Sequence, residues 1–211
     1  MIKKKINWKT SLSTFLETVY EPLKDKKLKW AIMGSVASVL QGCDLQPNDI
    51  DILVENTKTV HYIISFFSDY YEDRKCNLPF GDKDTWVASK EQPVFEGLGP
   101  FTFRWTYSKF KINELFIEIT HKLPPDNHPK KNTNLWESGQ NVWSYVREIT
   151  FGSYKVPIIP LEIQIATNFE RDFDERIKQI IEIFRKQSFD RKLVYKAIDK
   201  QYRKKFDELM R

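Results

Sequence analysis

The sequence predicts an α+β fold: a small mixed β-sheet flanked by helices and followed by a C-terminal helical segment. Three observations carry that prediction. Apolar residues recur at three- and four-residue steps from Leu12 to Leu23 and again through most of 161–211, which is the period of helices. Short runs rich in Ile, Val, Phe and Trp lie between, in the pattern of strands. Helical and strand segments alternate early in the chain, then give way to several strands and a closing block of helices, the order of an α+β or mixed α/β protein.

The elements follow in order. Leu12, Phe15, Leu16, Val19 and Leu23 mark a first amphipathic helix ending before a KDKK cluster. Leu28 to Met33 alternates as a strand, and Ser35 to Gln41 reads as a short helix with Ser35 as its cap and Gly42 as its end. Asp49 to Val54 is a second strand, and Val60, Ile63, Ile64, Phe67 and Tyr71 place a helix over Thr57 to Tyr71. WVAS (86–89), FTFRWTY (101–107) and INELFIEIT (112–120) are strand-like, the last two forming an antiparallel pair joined by SKFK. A Pro/Asn/Lys-rich loop and an aromatic patch of Trp136, Trp143 and Tyr145 follow. Beyond VPIIP the chain reads as helical to its end, which divides it into a core of 1–160 and a helical segment of 161–211. No internal repeat or low-complexity tract interrupts it.

A chain of 211 residues that is 41% hydrophobic, 14% aromatic and 30% charged, with 7 Gly and 10 Pro, belongs to the globular class; disordered and fibrous classes drop out. No run approaches the roughly 18 apolar residues of a membrane span, and MIKKKINWK leads into no secretory apolar block, so a cytoplasmic protein with no membrane partner is expected. Cys43 and Cys76 are too few for a metal knuckle and are expected to be free thiols. The net charge of +5 equals the excess in residues 1–30, where eight lysines face Glu17, Glu21 and Asp25; it favours a phosphate-bearing ligand weakly.

The stretch WAIMGSVASVLQGCDLQPNDIDILVE (30–55) carries the chemistry. On a strand, residues i and i+2 share a face, so Asp49 and Asp51 project together while Ile50 and Ile52 enter the core. Paired carboxylates repel unless a cation lies between them, and Mg²⁺ accepts one or two carboxylates together with substrate phosphate oxygens. Two such ions about 3.5 to 4 Å apart clamp both oxygens of a phosphoryl-type displacement. Gly34-Ser35, between strand and helix, lets a ligand approach the backbone and offers N–H groups and a hydroxyl to phosphate. The plainer alternatives are a turn Asp beside an edge-strand Asp, and an ordinary helix cap. Together the two features are the equipment of an enzyme that handles nucleoside triphosphates.

MGSVASVLQG followed by PNDIDILV resembles the signature of the nucleotidyltransferase superfamily related to DNA polymerase β. VPIIPLEIQIATNFERDFDERIKQI is similar to the helical segment after the catalytic core in small members, including lincosamide- and aminoglycoside-modifying enzymes and toxin-type nucleotidyltransferases. The resemblance implies the nucleotidyltransferase fold, with Glu118 in LFIEIT as third carboxylate beside Asp49 and Asp51, and all three as catalytic residues and metal ligands. It implies two Mg²⁺ ions, and ATP or another nucleoside triphosphate bound with the help of Gly34 and Ser35. The reaction would move a nucleoside monophosphate, AMP from ATP, to a hydroxyl of a small molecule such as an antibiotic, releasing pyrophosphate.

Two alternatives remain open: a toxin-type enzyme modifying a protein or an RNA end, and a catalytically decayed nucleotide-binding or interaction module. The decayed module is motivated by Glu118 where Asp is commoner, Gln46 where an Arg often stands, and Asn168 where many relatives have Lys. Arg104 either reaches the triphosphate from a neighbouring strand or pairs across the sheet with Glu114 or Glu118. His121 is open between the site and structure. His61 and His128 read as structural or exposed, the aromatic patch as core, and Lys130-Lys131 as a solvated loop tip.

Overall fold

The computed structural model describes residues 7–73, 76, 88–99, 102–126 and 135–211. Helix α1 (Trp8–Asp25) starts a turn before Leu12 because Trp8 lies on the same buried face; Asn7 caps it, accepting from the Lys9 N–H at 3.2 Å. Strand β1 (Trp30–Met33), helix α2 (Gly34–Leu40), strand β2 (Asp49–Val54) and helix α3 (Thr57–Ile64) follow. Next come β3 (Phe95–Leu98), β4 (Arg104–Ile112), β5 (Leu115–Leu123), β6 (Arg147–Phe151) and β7 (Tyr154–Ile158). Helices α4 (Leu161–Glu170), α5 (Asp174–Lys186), α6 (Arg191–Ala197) and α7 (Lys200–Leu209) end the chain.

The strands form one mixed sheet in the order β3-β4-β5-β2-β1-β7-β6. β2 runs parallel to β5 and antiparallel to β1, and β1 runs parallel to β7. The alternation of side chains sets up two cores. Ile32, Ile50, Ile52, Ile117 and Ile119 point one way, into a cluster with α1 and α3. Ala31, Met33 and Leu53 point the other way, into a cluster with α4 to α7. Each fully buried Ile contributes about 1.5 to 3 kcal/mol, so a one-residue slip of β2, which would exchange its two faces, is strongly disfavoured. Among the described residues no helix is long and apolar enough to cross a membrane.

Several elements differ from the sequence expectation. The α-helix over Thr57 to Tyr71 stops at Ile64, and a 3₁₀ turn at Ser68–Tyr70 continues the path. Phe67 and Tyr71 are buried all the same, with Phe67 stacked on Phe15 and Phe110 at centroid distances of 5.6 and 4.7 Å. SKFK is not a connection: β4 runs through it to Ile112, and Asn113 (φ 50°) and Glu114 (φ 67°) make the two-residue turn into β5. The β6–β7 hairpin, turning at Gly152 (φ 57°), was not anticipated, because Pro157 argues against a strand. The final helical run breaks between α6 and α7, at Ile198 and Asp199.

Trp86 and Val87 of the expected WVAS strand, together with Phe101, His128, Lys130 and Lys131, lie outside the described residues; Ala88 and Ser89 are not in a strand.

Both cysteines are free. Cys43 is buried, and burial pushes its thiol up to about 11, whereas Cys76 is half-buried near Ser89. A thiol reagent near pH 8 is expected to modify Cys76 roughly tenfold faster than Cys43, since only thiolate reacts. Peptide mapping of the labelled protein checks this, and equal rates would contradict the packing around Cys43.

Candidate active site

The parallel pairing of β2 with β5 places Asp49 opposite Phe116 and Asp51 opposite Glu118, while on its other side Asp51 pairs with Met33 of β1. Asp49, Asp51 and Glu118 therefore share the face that α4 to α7 flank, and Ile50 and Ile52 are wholly buried on the other. Met33 ends β1, and the chain reverses at Gly34, whose φ of +65° suits a residue without a side chain. A Cβ there would lie 2.3 Å from Asp51 Oδ2. The missing side chain thus makes room for a carboxylate of this chain, where the sequence predicts room for a ligand.

Two further elements converge on these acids. The Gly34 N–H donates to Glu137 Oε1 at 2.6 Å, and Thr167 on α4 is hydrogen-bonded to the same Glu137 carboxylate, tying the α2 start, the segment before Gln140 and α4 together. From β5, Lys122 reaches in beside Glu118, its ammonium 4.0 Å from the Trp105 ring centre. From β4, Lys109 holds Glu118 Oε1 at 2.9 Å, and Tyr107 hydrogen-bonds Glu118.

The electrostatics follow from four acids crowded at one place. Burial raises the Asp51 carboxyl well above the carboxylate range, and the charges of Asp49, Glu118 and Glu137 raise it further. Burial, then Glu118, raises Asp49, while Lys109, Arg176 and Arg171 oppose the shift. Glu137 is raised by burial against the stabilising Gly34 N–H and Thr167. Lys122 is lowered by burial, and the charges of Asp51, Glu137 and Glu118 resist that. Tyr107 is pushed up by burial and next by Glu118.

Gly34, Asp49, Asp51 and Glu118 are thus brought together. Ser35 is buried in α2, but the helix is capped at Met33 without any side-chain bond, so Ser35 is not its cap; Gly42, at φ 105°, does end it. Arg104 is not brought to the carboxylates. It pairs with Leu123 on the opposite parity of the sheet and lines an open cavity of 310 Å³ with Thr57, Thr106 and His121. His121 lies on that same opposite face, its Nδ1 3.3 Å from Val54 O, and burial lowers its pKa.

Glu114 sits in the β4–β5 turn and shares no strand face with Glu118. Asn168 is buried with its amide donating to Gln164 O at 2.9 Å, and Gln46 is exposed. His61 pairs with Glu96, Trp136 packs on Phe103, and Trp143 and Tyr145 pack against the second core.

Sequence reading passed over Lys109, Lys122, Glu137, Arg171 and Arg176. Lys122 was legible, since i+4 on a strand returns to the face of Glu118. Lys109 needed the β4–β5 register, and Glu137 needed a tertiary contact.

Among the described residues no three carboxylate, imidazole or thiol groups are already gathered as a metal cage. The donor set of Asp49 and Asp51 nevertheless suits a hard cation: oxygen ligands on one face whose charges oppose one another. The Lys109 and Lys122 ammonium groups stand among the acids, and Lys109 holds one oxygen of Glu118.

No protein-family model and no curated protein sequence matches the chain. Solved structures do match. A Thermotoga maritima protein, whose assignment as a nucleotidyltransferase is itself an inference, is 19% identical over 84% of this chain and 95% of its own, with a TM-score of 0.51. The lincosamide antibiotic adenylyltransferase LnuA, with lincomycin bound, matches at 18% identity over 81% of this chain and 96% of its own, with a TM-score of 0.43. The antibiotic-resistance factor ANT(2'')-Ia matches at 12% over 95% and 96%, with a TM-score of 0.47. The first of these likenesses establishes the class of architecture: the chain has the α+β nucleotidyltransferase fold.

Proposed function

We propose that the chain is a nucleotidyltransferase that moves a nucleoside monophosphate, AMP from ATP, to a hydroxyl of a small molecule such as an antibiotic. The observation that carries this reading is the Asp51–Glu118 register beside Asp49, with Gly34 clearing the space in which Asp51 sits. In this reading residues 1–160 are the nucleotidyltransferase core and 161–211 a helical segment flanking its carboxylate face.

Asp49 and Asp51 would hold two Mg²⁺ ions, and Glu118 would complete the ligand set. Bound there, Mg²⁺ would offset the charge of the triphosphate and make its α-phosphorus more electrophilic. The acceptor oxygen forms a bond to that phosphorus, the bond to the bridging oxygen breaks, and its electron pair leaves with pyrophosphate. Glu118 takes the acceptor's proton. Gly34 and Ser35 would offer backbone N–H groups to phosphate, for which Glu137 must first withdraw from the Gly34 N–H. The remaining work is positioning and charge neutralisation.

A second reading, a nucleotide-binding module without catalysis, is favoured by two observations: Lys109 holds Glu118, and Glu137 occupies the Gly34 N–H. Incubation with α-labelled triphosphates and Mg²⁺ against fractionated extracts separates the two. Label is expected to appear in a small-molecule fraction; label in protein or RNA would point to a toxin-type acceptor, and none in any fraction to the binding module.

Glu118→Gln is expected to slow transfer by roughly 10² or more while leaving triphosphate affinity within a few-fold, because a general base is lost and the Asp pair remains. Glu114→Gln, in the turn, is the control and should do little. Single-turnover rates of both variants check this, and a full-speed Glu118→Gln would remove Glu118 from the mechanism.

A further inference from the structure

We propose that the open cavity between the start of α3 and strands β3, β4 and β5 is a second ligand site, built for a small hydroxylated anion, a phosphate ester or a carboxylate. It lies on the sheet face opposite the carboxylates, and it does not depend on the transfer proposed above.

Strand register builds it. Leu98, Arg104 and Leu123 are cross-strand neighbours, and Thr106 pairs with His121 two residues further along, so these side chains project from one face. Together with Thr57, the first residue of α3, they line a cavity of 310 Å³. At roughly 30 Å³ for a water in the liquid, that is room for about ten heavy atoms.

The polar groups differ in depth. Arg104 is exposed, and among the described residues its guanidinium makes no ion pair or hydrogen bond. The Thr57 N–H, at the first position of its helix, has no carbonyl to receive it within α3. His121 lies deepest, only 6% exposed. Its Nδ1 is 3.3 Å from Val54 O, and a carbonyl only accepts, so Nδ1 carries the proton and Nε2 keeps a lone pair. Burial lowers the pKa of His121, which keeps this neutral form at pH 7. Nε2 has no partner among the described residues.

That combination sets the class of ligand. The Arg104 fork suits an oxyanion at the mouth, and the Nε2 lone pair takes the proton of a hydroxyl further in. The hydroxyls of Thr57 and Thr106, 2.7 Å apart, share one proton between them and leave the other for the ligand. Leu98 and Leu123 flank a short carbon chain. Glu96, also in the lining, is held by His61 Nε2 at 2.6 Å.

Proton–nitrogen NMR of the full labelled chain in EDTA tests this, with glycerol 3-phosphate and glycerate as probes. Methyl phosphate and acetate, which lack the carbon-bound hydroxyls, are the comparisons. One or both probes are expected to give saturable shifts at the Thr57 amide and the His121 ring, and the one that binds tells a phosphate site from a carboxylate site. Its affinity should exceed that of its comparison about tenfold, and Arg104→Gln should weaken it about tenfold. Arg104 is exposed, so the melting temperature of that variant should hold. No saturable shift with either probe, shifts centred instead on Gly34 and Asp49, or unchanged affinity in Arg104→Gln would overturn the site. Comparison ligands that bind as tightly as the probes would overturn the role of His121 and the hydroxylated class with it. None of these results bears on nucleotidyl transfer, which the labelled triphosphates read separately.

Discussion

Asp51→Asn is expected to abolish transfer and at the same time to raise the melting temperature of the metal-free protein. The two effects have one cause. Asp51 is buried against three other acids, so its charged form is costly in the folded chain, and the same concentration of negative charge is what would hold a divalent ion. An amide neither repels its neighbours nor neutralises the ion, and loss of one such charge interaction lowers rates by roughly 10² to 10³ or more. For a chain of this size the melting temperature should rise by about 2 to 4 °C per kcal/mol of repulsion relieved.

The sign with pH is fixed by linkage. The folded-state pKa of Asp51 lies above its unfolded value, so its charge costs stability at neutral pH. That cost is relieved as pH falls through the folded value towards the unfolded one. Thermal melts without divalent ions should therefore show wild type gaining on Asp51→Asn over that window. An Asn variant that melts lower at pH 7, or that transfers at full rate, would contradict the placement of Asp51.

Gly34→Ala is expected to be strongly damaging for so small a substitution. Its Cβ would stand 2.3 Å from Asp51 Oδ2, and a side chain at φ +65° costs about 1 to 2 kcal/mol by itself. The carboxylate would have to move, adding about 1 to 3 kcal/mol of overpacking and disordering the metal site. A double-mutant cycle separates the contributions: in an Asp51→Ala background the overpacking should disappear and the backbone cost remain. Denaturant unfolding of the four proteins measures it. Equal costs in both backgrounds would mean that Gly34 is needed for its backbone alone.

The part of the site legible in the sequence is the part encoded locally. Asp49 and Asp51 share a face because strands alternate, and Ile50 and Ile52 show which face is the core; both follow from six consecutive residues. Glu118 came from a family resemblance, and its strand could be read from Ile117 and Ile119.

Arg104 failed because parity along β4 depends on register with β5, and the turn that sets the register is Asn113-Glu114, two residues beyond the supposed SKFK connection. Glu137 and Arg171 could not be read at all. One comes from a stretch without periodicity, the other from an exposed helix end. The hairpin of β6 and β7 was hidden by Pro157, which β7 accommodates as one of only five residues.

The most direct measurement is the affinity of a triphosphate with a non-hydrolysable α,β-bridge, titrated into wild type and Asp51→Asn with Mg²⁺ or with EDTA. Wild type with Mg²⁺ is expected to bind at least roughly 100-fold more tightly than wild type in EDTA, and Asp51→Asn to bind as weakly with the metal as without it. Equal affinity in all four conditions would contradict a carboxylate face built to hold a metal-bound triphosphate.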